Sequence, residues 1–360
     1  MRMFNFKLIT MNIVIKLSNI ADIIRRFLYL QVENGKMRMQ GTYRTMLRPA
    51  GIRILVIAAL SVFLVSCNQR GRSGFPTDTP TSGKIRILAD ESFKPLIDAE
   101  IDVFMGLYAN ATIEPIYKPE VDVVNDFMND SARVMVTSRK LTDEQIKYLR
   151  DTLIVARTQI FAYDAIALVL NKINPDSLFS LEEVKGIFTG KITSWKQINK
   201  KSPLDNIRVI FDSPKSGNIR YFREKFDYFD PLPSNIFALN SNTEVIEFVE
   251  KNKDAIGIVS VNWISDTDDS VSNAFMSRIR VAAISQPYLD ETSYYRPQQG
   301  FIYDKSYPFT REVYMIKRES HIGLGSGFIN WATAEQGQRI VLKSGLVPAT
   351  MPIRLVQIKQ

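Results

Sequence analysis

Cysteine and histidine are almost absent from this 360-residue chain, which has one of each, Cys67 and His321. A zinc site needs several such ligands, and Cys–His or Ser–His–Asp catalysis needs a nucleophile paired with a histidine, so neither metal binding nor enzyme activity is expected. A lone cysteine also excludes an internal disulfide. Glycine-rich phosphate signatures are missing. Gly186-Ile187-Phe188-Thr189-Gly190-Lys191-Ile192-Thr193 falls one residue short of P-loop spacing, and Ile192 stands where a magnesium-binding hydroxyl belongs. Gly323-Leu324-Gly325-Ser326-Gly327 fits neither the dinucleotide nor the nucleophile-elbow pattern. Most of the chain also has no excess of basic charge. The formal net charge is +8, but ten Lys or Arg and two Asp or Glu precede Cys67, leaving 36 of each sign from Cys67 onward. The basicity belongs to the leader, which removes the case for nucleic acid.

That leader reads as an export signal. Arg44, Arg48 and Arg53 form a positive region, and Ile54 to Val65 an apolar run too short to span a bilayer comfortably. Leu64-Val65-Ser66-Cys67 resembles a bacterial lipobox, whose cysteine is acylated and becomes the first residue. Lipidation accounts for an unpaired thiol in an exported protein. The signal unit is then 46–67. Residues 1–45 are expected to be a mis-assigned extension, the alternative being a real one with apolar residues at helical spacing from Ile13 to Leu30. Residues 68–83, rich in Gly, Ser, Thr and Pro, read as a flexible tether.

From Lys84 onward short apolar strands alternate with amphipathic helices. Expected strands are Lys84–Ala89, Ile113–Tyr117, Val134–Thr137, Ile160–Leu170, Ile207–Phe211, Ile256–Val261 and Tyr314–Lys317. Between them lie helical patterns, including Leu181–Phe188, Ile219–Phe226 and a single closing helix Gly325–Leu342. This rhythm predicts an α/β protein of two lobes, 84–165 with 295–360 and 166–294, joined by crossover strands around a cleft. Trp195, Trp263 and Trp331 are expected in packing roles.

Lys215-Ser216-Gly217-Asn218-Ile219-Arg220-Tyr221-Phe222 has the composition of an anion cradle. Ser216 and Asn218 are capping residue types, Gly217 leaves backbone N–H groups uncovered, and a helix start carries partial positive charge. Together with Ile187-Phe188-Thr189-Gly190-Lys191-Ile192-Thr193-Ser194-Trp195, it resembles the substrate-binding protein of phosphate ABC transporters. The similarity runs over nearly all of Lys84 to Ile358. It takes in Ser92-Phe93, Thr137-Ser138-Arg139-Lys140-Leu141-Thr142, Tyr163-Asp164-Ala165-Ile166-Ala167 and Leu181 to Lys191, then Ala255-Ile256-Gly257-Ile258-Val259 and Glu335-Gln336-Gly337-Gln338-Arg339-Ile340-Val341.

The resemblance implies a type II periplasmic-binding-protein architecture and a monomeric, exported lipoprotein at the periplasmic or outer cell surface. Held to the membrane by its lipid anchor, it would capture inorganic phosphate for ABC transporter permease subunits, without a cofactor. The implied ligands are Ser92, the Phe93 N–H, Ser138, Ser216, Gly217 and Asn218. Relatives often carry Asp where this chain has Arg139, and Arg where it has Asp212. An exchange of charge between lobes would make Arg139 the cation, with Asp164 or Asp212 as acceptor for the ligand's proton. Other expectations are a different small oxyanion or acidic solute, or a regulatory or structural lipoprotein outside transport.

Overall fold

The computed structural model describes residues 78–352 apart from 267, 269 and 289–291, together with a short antiparallel strand pair, Val32–Glu33 and Lys36–Met37. The chain divides into two compact units, Met1–Gly74 and Phe75–Gln360, and every element labelled below lies in the second. The expected signal 46–67, its Cys67 and most of the tether lie outside the described residues. The last tether residues differ from expectation. Thr79 and Ser82 close a tight backbone turn, and Asp78 accepts from the Leu324 N–H at 2.8 Å, so residues 78–83 are tied to the folded domain. Among the described residues no helix is long and apolar enough to cross a membrane.

The first half of the domain is built from β1 (Gly83–Asp90), α1 (Lys94–Leu107), β2 (Ala111–Lys118), α2 (Glu120–Met128), β3 (Val134–Thr137) and α3 (Asp143–Asp151). β1 pairs in parallel with β2 on one side and β3 on the other, as βα units require. β4 (Arg157–Asn171) then carries the chain across. The second half contains β5 (Leu178–Ser180), α4 (Leu181–Phe188), α5 (Trp195–Ile198), β6 (Arg208–Phe211), α6 (Gly217–Phe226), β7 (Ile236–Ala238), α7 (Asn242–Lys251) and β8 (Ala255–Ser260). Here β6 pairs in parallel with β8 and β7. After α8 (Ser270–Arg278), β9 (Ile279–Val281), β10 (Ala283–Ser285), β11 (Tyr294–Tyr295) and α9 (Gln299–Tyr303), β12 (Thr310–Lys317) returns to the first half. The last elements are α10 (Leu324–Ala332), α11 (Glu335–Lys343) and β13 (Val347–Pro348).

The main sheet runs β2-β1-β3-β12-β4-β8-β6-β7, with β9 and β13 also on β4. β4 is the strand shared by both halves. Arg157 to Ala165 pairs antiparallel with β12, and Ile166 to Leu170 pairs antiparallel with β8. Its near-continuous apolar run follows from being covered on both faces. The sheet is mixed because the crossing strands are antiparallel to the parallel triplets they join.

Local signals explain the helices that flank the cleft. Thr142 with Gln145 and Ser180 with Glu183 form capping boxes that start α3 and α4. Gly190 follows α4 with φ +77, a left-handed conformation that glycine adopts without strain, so the segment resembling a P-loop is a helix end. The expected single closing helix is two. Thr333 and Ala334 break it, and Gly337 packs against the Ala332 backbone, where a built Cβ would lie 2.4 Å from its carbonyl oxygen. The three tryptophans are packing residues. Trp195 is fully buried on Phe179, Trp331 meets Phe104 edge-on, and Trp263 is buried with its indole N–H donating to the Ser92 carbonyl.

Candidate functional site

At the carboxyl end of β1 the chain turns through a 3₁₀ turn, Glu91–Phe93, directly into α1. Asp90 caps this turn by accepting from the Ser92 N–H at 3.0 Å. Phe93 starts α1 with no side-chain cap, the Lys94 N–H donates to the Glu91 carbonyl, and Pro95 has no N–H to give. Opposite stands the start of α6. Ser216 caps it by accepting from the Asn218 N–H at 3.0 Å, and its hydroxyl donates to Asp212 at 2.6 Å. The two starts face each other closely, since a Cβ built on Gly217 would lie 2.8 Å from Asp90 Oδ2 and 3.0 Å from Glu120 Oε1. Any side chain here would have to displace one of these carboxylates.

Arg311, from β12, lies at the centre. Its side chain is 3% exposed and its Nε donates to Asp164 at 2.9 Å. The guanidinium carbon lies 4.9 Å from the centre of the Phe93 ring, a cation–π contact. Both terminal nitrogens, Nη1 and Nη2, are buried without a hydrogen-bond partner among the described residues. So are Ser92 Oγ and Asp90 Oδ2. Buried polar atoms are nearly always paired, and a cluster left over at two facing helix starts marks a place where a polar group can be held. Asp164 is fixed in turn by the Ser260 hydroxyl at 2.7 Å. Asn262 links Ser260 to the Ser92 carbonyl, completing a buried polar floor.

A second charge cluster spans the cleft. Glu120 Oε1 accepts from the Ser138 hydroxyl at 2.7 Å, the Thr137 hydroxyl at 3.0 Å and the Ser138 N–H at 3.2 Å. Arg220 on α6 reaches Glu120 with Nε at 2.5 Å and Nη2 at 3.1 Å, and also donates to Ser138 Oγ at 2.9 Å. Burial works against the Glu120 charge, yet the hydrogen bonds and charge of Arg220, with Ser138 and Arg311, hold this carboxyl below its ordinary value. Asp90 behaves oppositely. Burial first and the Glu120 charge second push it up to about 8, against the pull of Arg311. Burial also raises Asp164, Asp212 and Glu91, the last to about 7.

The start of α6 at Gly217 thus faces Asp90, which precedes Ser92 and Phe93, and Glu120, which holds Ser138. Arg139 is half-buried, with its backbone N–H turned to Thr137 Oγ1 at 3.4 Å. Asp164 accepts from Arg311 and Ser260, and Asp212 from Ser216 and Asn218. Sequence reasoning misses four residues here: Asp90, Glu120, Arg220 and Arg311. Periodicity starts the last strand at Tyr314 and so leaves Arg311 outside the sheet that buries it. Among the described residues no group of three His, Cys, Asp or Glu could hold a metal ion.

Known proteins resemble this chain in sequence and fold. Residues 76–336 match the PBP superfamily domain. The phosphate-binding protein PstS of Bacillus subtilis (strain 168) is 20% identical over 320 residues, covering 83% of this chain and 94% of that protein. PstS of Staphylococcus saprophyticus is 27% identical over 206 residues, 56% of this chain, and the match spans only 60% of that protein's length. Among solved structures, a Clostridium perfringens substrate-binding protein assigned to phosphate ABC transport, with phosphate bound, superposes with a TM-score of 0.63. It is 23% identical, over 74% of this chain and 100% of its own. With two α/β halves closing around facing helix starts, and the matched domain spanning most of its length, this chain belongs to the PBP superfamily domain family.

Proposed function

We propose that this protein is an extracytoplasmic solute-binding lipoprotein that captures inorganic phosphate in its cleft and passes it to an ABC transporter permease. It is a binding component and not an enzyme. One observation carries the reading. Arg311 Nη1 and Nη2 and Ser92 Oγ are buried, have no hydrogen-bond partner among the described residues, and lie by two facing helix starts. Donors so placed fit a small oxyanion, whose buried charge must be met by several hydrogen bonds at once. The proposed contacts are Ser92, the Phe93 N–H, Gly217, Asn218 and Ser216, with Arg311 as the cation in place of Arg139. Cys67 would carry the lipid, and the lobes would be 84–165 with 295–360 and 166–294.

A second reading, a different small oxyanion, draws on the balance of charge. Asp90, Glu91, Glu120, Asp164 and Asp212 stand against Arg220 and Arg311, which suits a ligand that is singly charged or brings protons of its own. Titration calorimetry with phosphate, sulfate and small organic anions tests both. Phosphate alone binding supports the first, equal binding of several oxyanions supports the second, and no binding by any of them removes both in favour of a role outside transport.

A further inference from the structure

The donor set at the end of β3 is not open to a ligand, because the chain fills it. Thr137 Oγ1, Ser138 N–H and Ser138 Oγ all converge on one oxygen of Glu120, at 3.0, 3.2 and 2.7 Å. Arg220 closes on the same carboxylate through two of its nitrogens. These are the groups that hold a small oxyanion elsewhere in proteins: hydroxyls, a backbone N–H and a forked guanidinium. Glu120 is 1% exposed, and its five bonds come from both halves of the domain, with Thr137 and Ser138 on one side and Arg220 on the other.

We infer that Glu120 is a built-in anion of the cleft, which occupies the β3 donor set and fastens the two lobes together through Arg220. The inference deepens the reading of this cleft as an oxyanion site. A captured oxyanion would then meet only the remaining groups, at Ser92, Phe93, Arg311 and the start of α6. Ser138 serves the latch and not the ligand. Lobe closure need not wait for a ligand, since the chain carries its own charge across the gap. The charged groups acting on Glu120 are Arg220 on α6, itself also bonded to Glu224, Arg311 on β12 and Asp90 at the end of β1.

A reporter for opening lies away from the latch. The Asn242 N–H at the start of α7 donates to Glu91 across the cleft at 3.2 Å, so its hydrogen exchange rises when the lobes separate. Exchange would be measured on the full chain without added anion, for wild type, Glu120→Gln and Arg220→Gln, with circular dichroism confirming that each folds. The expected result is slow exchange at Asn242 in wild type and at least a tenfold rise in both variants. Wild-type protection in both variants would overturn the latch. Adding inorganic phosphate separates the two readings. If it restores protection in the open variants, the latch and the phosphate site both stand. If the variants open and phosphate does not reprotect them, the latch stands and the phosphate reading falls.

Discussion

Replacing Arg311 by lysine is the sharpest perturbation of the proposed ligand site. The change keeps a positive charge near Asp164 but removes Nη1 and Nη2, the two unpartnered donors. A hydrogen bond to a charged group contributes ~1.5–3 kcal/mol. Losing two should therefore cost about 3–6 kcal/mol, less whatever the lysine ammonium recovers. At 1.4 kcal/mol per factor of ten, phosphate affinity should fall roughly a hundred- to ten-thousandfold. Calorimetric titration measures that directly, with thermal unfolding in the absence of phosphate as the control. Arg311→Met is a less clean test, because it leaves Asp164 buried without its cation, and breaking a buried pair costs about 3–5 kcal/mol of stability. Pairing it with Asp164→Asn should restore much of that stability and none of the binding. Phosphate binding at wild-type affinity by Arg311→Lys would refute the assignment of Arg311 as the ligand cation.

Four further outcomes are expected. Gly217→Ala should hold the cleft open, because the new methyl meets Asp90 and Glu120, and small-angle scattering should show a larger radius than wild type. Ser216→Ala should weaken phosphate binding roughly ten- to hundredfold, because in the bound state its one hydroxyl proton would turn from Asp212 to the anion. It should also lower stability by about 1 kcal/mol through the lost helix cap, both read by titration and melting. Asp90, Glu91 and Glu100 have folded pKa values raised by burial to about 8, 7 and 9, above their unfolded values, so each group's stabilising effect is complete in acid and fades as pH rises through those values. The melting temperature should accordingly fall between pH 5 and 9. Glu100→Gln should flatten that fall, because both Glu100 oxygens are buried without partners among the described residues. Cys67→Ala should leave the precursor unprocessed or the protein released from membranes, as fractionation and intact mass would show.

Much of the fold is legible in the sequence because its signals are local. Leu181–Phe188 is marked by Ser180 and Glu183 three residues apart, and β4 by an apolar run too long for a half-exposed strand. The break between α10 and α11 is not legible. Thr333 and Ala334 interrupt no hydrophobic period, and the turn is set by the close packing of Gly337 on Ala332. The candidate site divides the same way. Ser92, Ser216 and Gly217 stand out as helix-start chemistry. Arg311 and Arg220 find their carboxylates 147 and 100 residues away, so nothing nearby in the chain announces either pair. Asp90 and Glu120 sit beside helix starts, where acidic residues are ordinary, and only the fold shows that they face each other.

The two crossings between the halves are bonded to one another. Thr310 pairs with Ala165, and the Ile166 N–H donates to the Phe309 carbonyl at 2.9 Å. Asp164 and Arg311 are the next residues along the two crossing strands. The cation therefore sits on the axle of any opening movement, where displacement is smallest, while the start of α6 rides at a distance from it. On the proposed function, an anion would reach this buried Arg311 only while the Glu120–Arg220 latch is open, so capture and release would both be timed by how often α6 swings away.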